Sequence, residues 1–228
     1  MSRTVALVVT LLGGESTGKT SLARALCGHL AETGLTAELV PEHLRHWCEQ
    51  QGRAPHAHEQ AAVAREQARL TDEMASLHGV DIVVADTSPL VIAAYSELYF
   101  KDHSLWHEAL AWQRRVNLTL LMGLDLPWVA DGFFRDSPTV RDAVDAAIRR
   151  ELQAAGLAFQ TIHGLGQART EQALRAIGRC LGQDLTATEP SLTSGRRAWS
   201  CDKCSDPACE HRLFSGLLAR NHTGDARP

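Results

Sequence analysis

Eight consecutive residues near the N-terminus constrain the fold more than any other part of the sequence. They read Gly13-Gly14-Glu15-Ser16-Thr17-Gly18-Lys19-Thr20 and match the pattern G-x-x-x-x-G-K-[ST]. An apolar run, Val5–Leu12, comes directly before them, and leucines recur every four residues from Leu22 to Leu30 after them. A strand, this loop and a helix in that order are typical of the phosphate-binding loop (P-loop) of an α/β nucleotide-binding fold.

Each part of the loop has a physical role. Its glycines let the backbone curl so that N–H groups point at phosphate oxygens, and the following helix adds its positive N-terminal end. We expect Lys19 to neutralise the β- and γ-phosphates and the Thr20 hydroxyl to bind Mg²⁺. The sequence therefore predicts that Gly13–Thr20 binds a nucleoside triphosphate together with Mg²⁺.

The rest of the chain alternates short apolar runs with helical patterns, which indicates a parallel sheet with helices on both faces. The runs are apolar on successive residues, as in strands covered on both faces. The predicted strands are Val5–Leu12, Thr36–Val40, Asp81–Ala85, Leu118–Met122 and Leu157–Ile162. Periodic apolar residues predict three further helices, from Val63 to Leu77, Val140 to Leu152 and Leu174 to Leu181.

Composition changes near residue 183 and divides the chain. We predict a nucleotide-binding domain at 1–182, a linker at 183–198, a Cys- and His-rich extension at 199–220 and a disordered tail at 221–228. The formal net charge of −4 gives no support for binding to nucleic acid or an anionic membrane. Because no stretch approaches the roughly 20 apolar residues of a membrane span, we expect a cytoplasmic protein.

Four potential metal ligands lie close together in the extension. Cys201, Cys204, Cys209 and His211 fall within eleven residues and include a Cys-x₂-Cys pair. Thiolate and imidazole groups at this spacing suit a tetrahedral structural Zn²⁺ site. The alternative is a set of reduced surface thiols.

Two carboxylates follow predicted strands. Asp86 comes directly after the third strand, and Glu42 comes after the second strand and Pro41. Ligands of open α/β sheets bind beyond the carboxyl ends of the strands. We expect Asp86 to bind Mg²⁺, and either carboxylate to accept the proton of an acceptor hydroxyl. The alternative for each is an acid that caps a helix, a role that suits Ser88 better.

Four stretches together point to a known family. They are the loop Gly14–Thr20, Val40-Pro41-Glu42 with Arg45 one helical turn later, Asp125–Gly132 followed by Arg135-Asp136-Ser137, and Gly164–Arg169. They resemble the ribosylnicotinamide kinase domain of bacterial NadR-type proteins, in which the third stretch is the lid and the fourth the nucleotide-base loop.

This resemblance implies a P-loop kinase fold with strand order 2-3-1-4-5 and a contact from Arg169 to the nucleotide. It also implies transfer of the γ-phosphate of ATP to the 5′-hydroxyl of nicotinamide riboside. The sequence departs from the family where Phe133 and Phe134 separate Gly132 from Arg135, because the usual lid reads Asp-Gly-x-Arg. It carries neither the adenylyltransferase nor the DNA-binding part, so we do not expect a transcriptional regulator.

Phosphoryl transfer also needs positive charge near the migrating group, which Arg135 is placed to supply; the alternative is a solvated arginine. We therefore predict an ATP-dependent kinase with Lys19, Asp86, Glu42 and Arg135 as catalytic residues and a nucleoside-like acceptor. The competing hypothesis is a nucleotide-dependent regulatory module whose metal-bound tail recruits a partner. Glu42 separates the two hypotheses, because only a kinase needs a carboxylate that faces an acceptor.

Overall fold

Five parallel strands form the central sheet of the computed structural model, which describes residues 6–129 and 137–186. Their spatial order is β2-β3-β1-β4-β5, so the predicted fold class and strand order are confirmed. In the register of the sheet, Val9 lies opposite Val84 on one side and Leu118 on the other. The strands are β1 (Leu7–Leu12), β2 (Ala37–Val40), β3 (Ile82–Ala85), β4 (Leu118–Met122) and β5 (Gln160–Ile162).

Seven α-helices belong to the described residues, and a 3₁₀ turn at Ala57–Glu59 leads into the third. They are α1 (Lys19–Glu32), α2 (His43–Gln51), α3 (Gln60–Ala75), α4 (Pro89–Phe100), α5 (Leu105–Gln113), α6 (Pro138–Ala154) and α7 (Gly166–Leu181). Within these residues no helix is both long and apolar enough to cross a membrane.

Apolar side chains cover both faces of the sheet. On one face Leu26 of α1 and Ile177 of α7 pack against alternate residues of the strands, and on the other Leu90 and Ile148 pack around Leu121. All five side chains have no exposed surface. Full burial of such a side chain stabilises the fold by roughly 2 kcal/mol, so the two layers fix the sheet between them.

Two element ends differ from the prediction for a local reason. The last strand begins at Gln160, because the N–H of Leu157 bonds to the carbonyl of Leu152 and, with Gly156 at a φ of 64°, closes the C-terminus of α6. Helix α3 ends at Ala75, and Leu77 lies beyond it with 55% of its surface exposed.

The region around the predicted domain boundary is only partly described. Helix α7 ends at Leu181, and Leu185, within the segment expected to be a linker, is buried against the core of α1 and α7. The predicted extension at 199–220 and the tail at 221–228 lie outside the described residues, so the domain division stays a prediction.

Candidate active site

The P-loop joins β1 to α1 and is held by its own side chains. Thr17 Oγ1 donates to the carbonyl of Gly14 at 2.7 Å, and Gly18, at a φ of 78°, is the N-cap residue of α1. A Cβ atom on Gly14 would lie 3.1 Å from the backbone of Arg141 in α6, so a side chain there would force the two segments apart. The sequence therefore has glycine where close backbone contact requires it, at a position that the motif itself leaves open.

Lys19 is buried and folds back over the loop. Its Nζ donates to the carbonyl oxygens of Gly13 at 2.9 Å and Gly14 at 3.0 Å. The ammonium group thus lies inside the curl of backbone that the motif predicts as a phosphate site, in contact with neutral oxygens that a phosphate can replace.

The order of the strands brings three strand ends together. The P-loop follows β1, Asp86 follows the neighbouring β3, and Glu42 follows β2 at the edge. The N–H of Asp86 donates to the carbonyl of Val40 at 2.9 Å, which joins the ends of β3 and β2. Both predicted carboxylates therefore lie at the same edge of the sheet as the loop.

Asp86 contacts the loop directly, because its Oδ2 accepts a hydrogen bond of 2.5 Å from the Thr20 hydroxyl. Its other oxygen, Oδ1, is buried and has no partner among the described residues. Ser88, and not Asp86, caps α4 by accepting from the N–H of Leu90. The helix-cap alternative therefore does not describe Asp86.

The pair of Thr20 and Asp86 fits a Mg²⁺ ion by its chemistry. Mg²⁺ prefers oxygen ligands and is usually held by one or two protein groups together with phosphate oxygens and water. The carboxylate and hydroxyl lie together, and one buried carboxylate oxygen is left for a further partner. No group of three or more acidic, Cys or His side chains suited to a metal occurs within residues 6–129 and 137–186.

A cavity of about 440 Å³ opens beside the loop, within the size range of small-molecule sites. The loop forms one part of its lining, the loop wall, and Glu42, α2, α4 and the segment before α3 form the rest, which we call the acceptor wall. The rings of Tyr95 and Tyr99 stack there with centroids 6.1 Å apart, and Phe100 continues the aromatic surface. Gln60 at the start of α3 also lines the cavity.

Glu42 belongs to the acceptor wall and lines the same cavity as Lys19 and Thr20. It occupies the N-cap position of α2, yet its side chain makes no capping hydrogen bond. Its carboxylate lies 3.6 Å from Nε of Arg45, one turn further along the helix. Burial raises the pKa of the nearby Cys48 thiol, and the negative charge of Glu42 raises it further.

Arg169 connects two loops on the other side of the P-loop. Its guanidinium donates to the Thr17 carbonyl at 2.8 Å, to the Gly164 carbonyl at 3.0 Å and to Asp125 at 3.3 Å. Burial lowers the pKa of Arg169, and Asp125 acts in the opposite direction. Arg169 therefore holds the P-loop backbone in place. Its contact with the nucleotide stays a prediction.

The start of the predicted lid is also attached to the P-loop. The Ser16 hydroxyl donates to the carbonyl of Val129 at 2.8 Å, and Arg141 donates to the carbonyl of Leu126 at 2.8 Å. Arg135 lies outside the described residues, as do the predicted zinc ligands Cys201, Cys204, Cys209 and His211. Their roles stay predictions.

Sequence reasoning did not find the aromatic part of the acceptor wall. Tyr95, Tyr99 and Phe100 belong to α4, a helix that was expected after Ser88 but given no bounds, because its first six residues are all buried and show no helical period. The spacing of four between the two tyrosines was the available signal, since residues at i and i+4 share a helix face.

Comparisons with known proteins agree with this fold. A family described as an AAA domain matches residues 8–169. None of the curated proteins matches the sequence.

Three solved structures show the likeness of the fold. NadR in complex with NR has a TM-score of 0.69 at 22% identity, over 82% of this chain and 55% of that one. NadR in complex with NAD and AMP-PNP has a TM-score of 0.65 at 21% identity, over 81% and 52%. Thymidylate kinase from Ehrlichia chaffeensis has a TM-score of 0.53 at 13% identity, over 76% and 100%. The chain spans about half the length of the NadR chains, and the resemblance to NadR-type proteins is confirmed at the level of the fold.

Proposed function

The chain belongs to the family described as an AAA domain, and from that premise we propose that it is an ATP-dependent kinase for a small nucleoside-like acceptor. Nicotinamide riboside is the leading candidate for the acceptor. The NadR structures, solved with NR and with NAD and AMP-PNP, support this choice of ligands, although their identity to this chain is only 21–22%.

One observation carries the proposal. The carboxylate of Glu42 lines the same cavity as Lys19 and Thr20, so a group able to accept a proton lies beside the phosphate-binding loop. A kinase needs such a carboxylate to orient the acceptor hydroxyl, whereas a regulatory switch that only hydrolyses its nucleotide does not.

The residues of the loop bind and orient the nucleotide. Lys19 exchanges the carbonyls of Gly13 and Gly14 for the β- and γ-phosphates, and the N–H groups of the loop bind the phosphate oxygens. Thr20 and Asp86 are the residues that would hold Mg²⁺. When bound, this ion neutralises charge that develops on the phosphate oxygens.

Glu42 then acts on the acceptor. Its carboxylate accepts the proton of the acceptor hydroxyl while the oxygen of that hydroxyl forms a bond to the γ-phosphorus. The bond from the γ-phosphorus to the bridging oxygen breaks, and ADP leaves with that electron pair. Arg135 completes the proposal as the cation on the migrating phosphoryl group.

The shape of the cavity supports a nucleoside as acceptor. Two stacked tyrosines and Phe100 offer flat apolar surface, and aromatic rings of a ligand stack on such surface at separations of about 4.5–7 Å. The loop wall, with Lys19 and Thr20, binds the phosphates of the nucleotide. A molecule with a flat ring at one end and a primary hydroxyl at the other matches both walls.

A screen of nucleosides with labelled ATP tests the proposal. We expect labelled phosphate to appear on nicotinamide riboside at least about tenfold faster than on water, because a closed site excludes water from the reaction. Pyrimidine and purine nucleosides serve as competing acceptors. Equal ATP hydrolysis with and without every nucleoside tested would contradict the kinase and favour the regulatory module.

A further inference from the structure

The segment that carries Glu42 lacks the usual stabilisation of a helix start. An N-cap residue normally turns its side chain back onto the N–H groups of the first helical turn. Glu42 occupies this position in α2 without such a hydrogen bond, so its carboxylate remains available to the cavity. Another group must then fix the peptide units on either side of it.

Gln67 of α3 supplies that group. Its Oε1 accepts from the N–H of His43 at 2.8 Å, and its Nε2 donates to the carbonyl of Pro41 at 3.3 Å. The two bonds have opposite polarity, so only one orientation of the amide satisfies both. They contact the residue before Glu42 and the residue after it.

The position of Gln67 makes this contact rigid. The side chain has no exposed surface, and it lies on the face of α3 that packs against α2 and β2. His43 is the first residue of α2, and its N–H has no partner within the helix. Gln67 therefore satisfies an N–H group at the helix start, so the neighbouring carboxylate does not need to cap the helix.

We propose that Gln67 is a positioning residue that directs the carboxylate of Glu42 toward the acceptor hydroxyl. It acts through the backbone of Pro41 and His43 and does not touch the substrate. The inference rests on the proposed function, because it assumes that Glu42 accepts the proton. A displacement of about 1 Å in a reacting group can lower a rate by roughly 100-fold, so loss of this contact should be visible in kcat.

Gln67→Met removes both hydrogen bonds and keeps an unbranched side chain of similar size and helix propensity. The matched control is Gln113→Met, since Gln113 is also buried and donates from one amide to the hydroxyls of Thr10 and Thr119. We expect kcat to fall about 10- to 100-fold in Gln67→Met, while the KM for ATP stays within about twofold. Gln113→Met should lose thermal stability but keep kcat. Equal loss of kcat in both variants, or an unchanged kcat in Gln67→Met, overturns the inference.

A double variant tests whether the effect passes through Glu42. In the Glu42→Gln background there is no carboxylate to direct, so adding Gln67→Met should lower kcat no further. A further loss of the same size as in the single variant overturns the proposed route and makes Gln67 a general stabiliser of the fold.

The variant Gln67→Glu tests the contact through the pH dependence of its activity. The protonated carboxyl can accept from His43 and donate to Pro41, whereas the ionised form cannot donate, and burial raises the pKa of such a group. Relative to wild type, this variant should keep more activity near about pH 6 than near about pH 8. A ratio that does not change with pH contradicts the positioning role.

The wild-type assay separates this inference from the proposed function. If wild type transfers no phosphate to any nucleoside, the kinase proposal fails, and hydrogen exchange at the His43 amide then decides the contact with Gln67. Exchange at least about tenfold faster in Gln67→Met, but not in Gln113→Met, supports the contact. Unchanged exchange overturns it.

Discussion

The two walls of the cavity are built in different ways. The loop wall is made by one short segment, Glu15–Ser21, in which Thr17 and Lys19 bond to the carbonyls of Gly13 and Gly14 just before it. The acceptor wall is assembled from α2, α4 and the turn before α3, and its Glu42 depends on a contact from α3. The loop wall has its own internal bonds and takes further support from Arg169 at the Thr17 carbonyl and from Asp86 at the Thr20 hydroxyl, whereas the acceptor wall is held by contacts between elements. Acceptor choice should therefore be more sensitive than nucleotide binding to substitutions away from the cavity.

Lys19→Ala should have the largest effect, because it removes the charge of the loop wall. We expect kcat to fall by about 10³-fold or more, the scale of single cationic groups on a transferred phosphoryl. Arg24→Ala, an exposed cation on the same helix, is the control and should keep activity. Steady-state phosphoryl transfer with circular dichroism of both variants checks this. Full activity in folded Lys19→Ala would contradict the assignment of the loop.

Glu42→Gln should have the next largest effect and acts on the acceptor wall alone. Loss of a general base lowers kcat by about 10²- to 10⁴-fold, while the KM for ATP should stay near its wild-type value. Glu49→Gln, on the exposed part of α2, is the control. Kinetics at saturating ATP measure the difference. If Glu42→Gln keeps its kcat and Asp86→Asn loses it, the base is Asp86.

The smallest expected effect is that of Glu59→Gln, near Ala54 and Pro55 of the acceptor wall. Hydrogen bonds from Arg53, and then from the backbone of His56, lower the pKa of Glu59 to about 2 from an ordinary value of 4.5. The ionised form therefore stabilises the fold at pH above 4.5, and this contribution is lost as the pH falls toward about 2.

Glu59→Gln should raise the KM for the nucleoside by about two- to fivefold near neutral pH, because the ion pair is partly exposed. The difference in urea midpoint between variant and wild type should shrink as the pH is lowered below 4.5. Glu108→Gln breaks an exposed ion pair with Arg65, outside the cavity, and should leave that KM unchanged. A pH-independent difference in midpoint would show that the carboxylate charge at residue 59 is not what stabilises this part of the acceptor wall.

The same contrast explains how much the sequence could predict. The loop and α1 follow from the motif and the leucine spacing, which lie within 25 residues of each other. The strands follow from short apolar runs, which are also local patterns. Helices α4 and α2 were given no predicted bounds, α4 because burial on all sides removes its period and α2 because it is mostly polar. Glu42 was found from its place after a strand. The contact from Gln67 could not be found, because it depends on how two helices pack, 24 residues apart in sequence.

The resting place of Lys19 has a consequence for how binding responds to salt. Its ammonium group contacts two carbonyl dipoles, and no described carboxylate forms an ion pair with it. An arriving polyphosphate therefore displaces neutral groups and mobile counter-ions of the solvent, and breaks no internal ion pair. Added electrolyte screens this attraction over a Debye length of about 10 Å at 0.1 M and about 3 Å at 1 M. Nucleotide affinity should accordingly weaken as ionic strength rises, as it does in exchange of an anion for bound counter-ions.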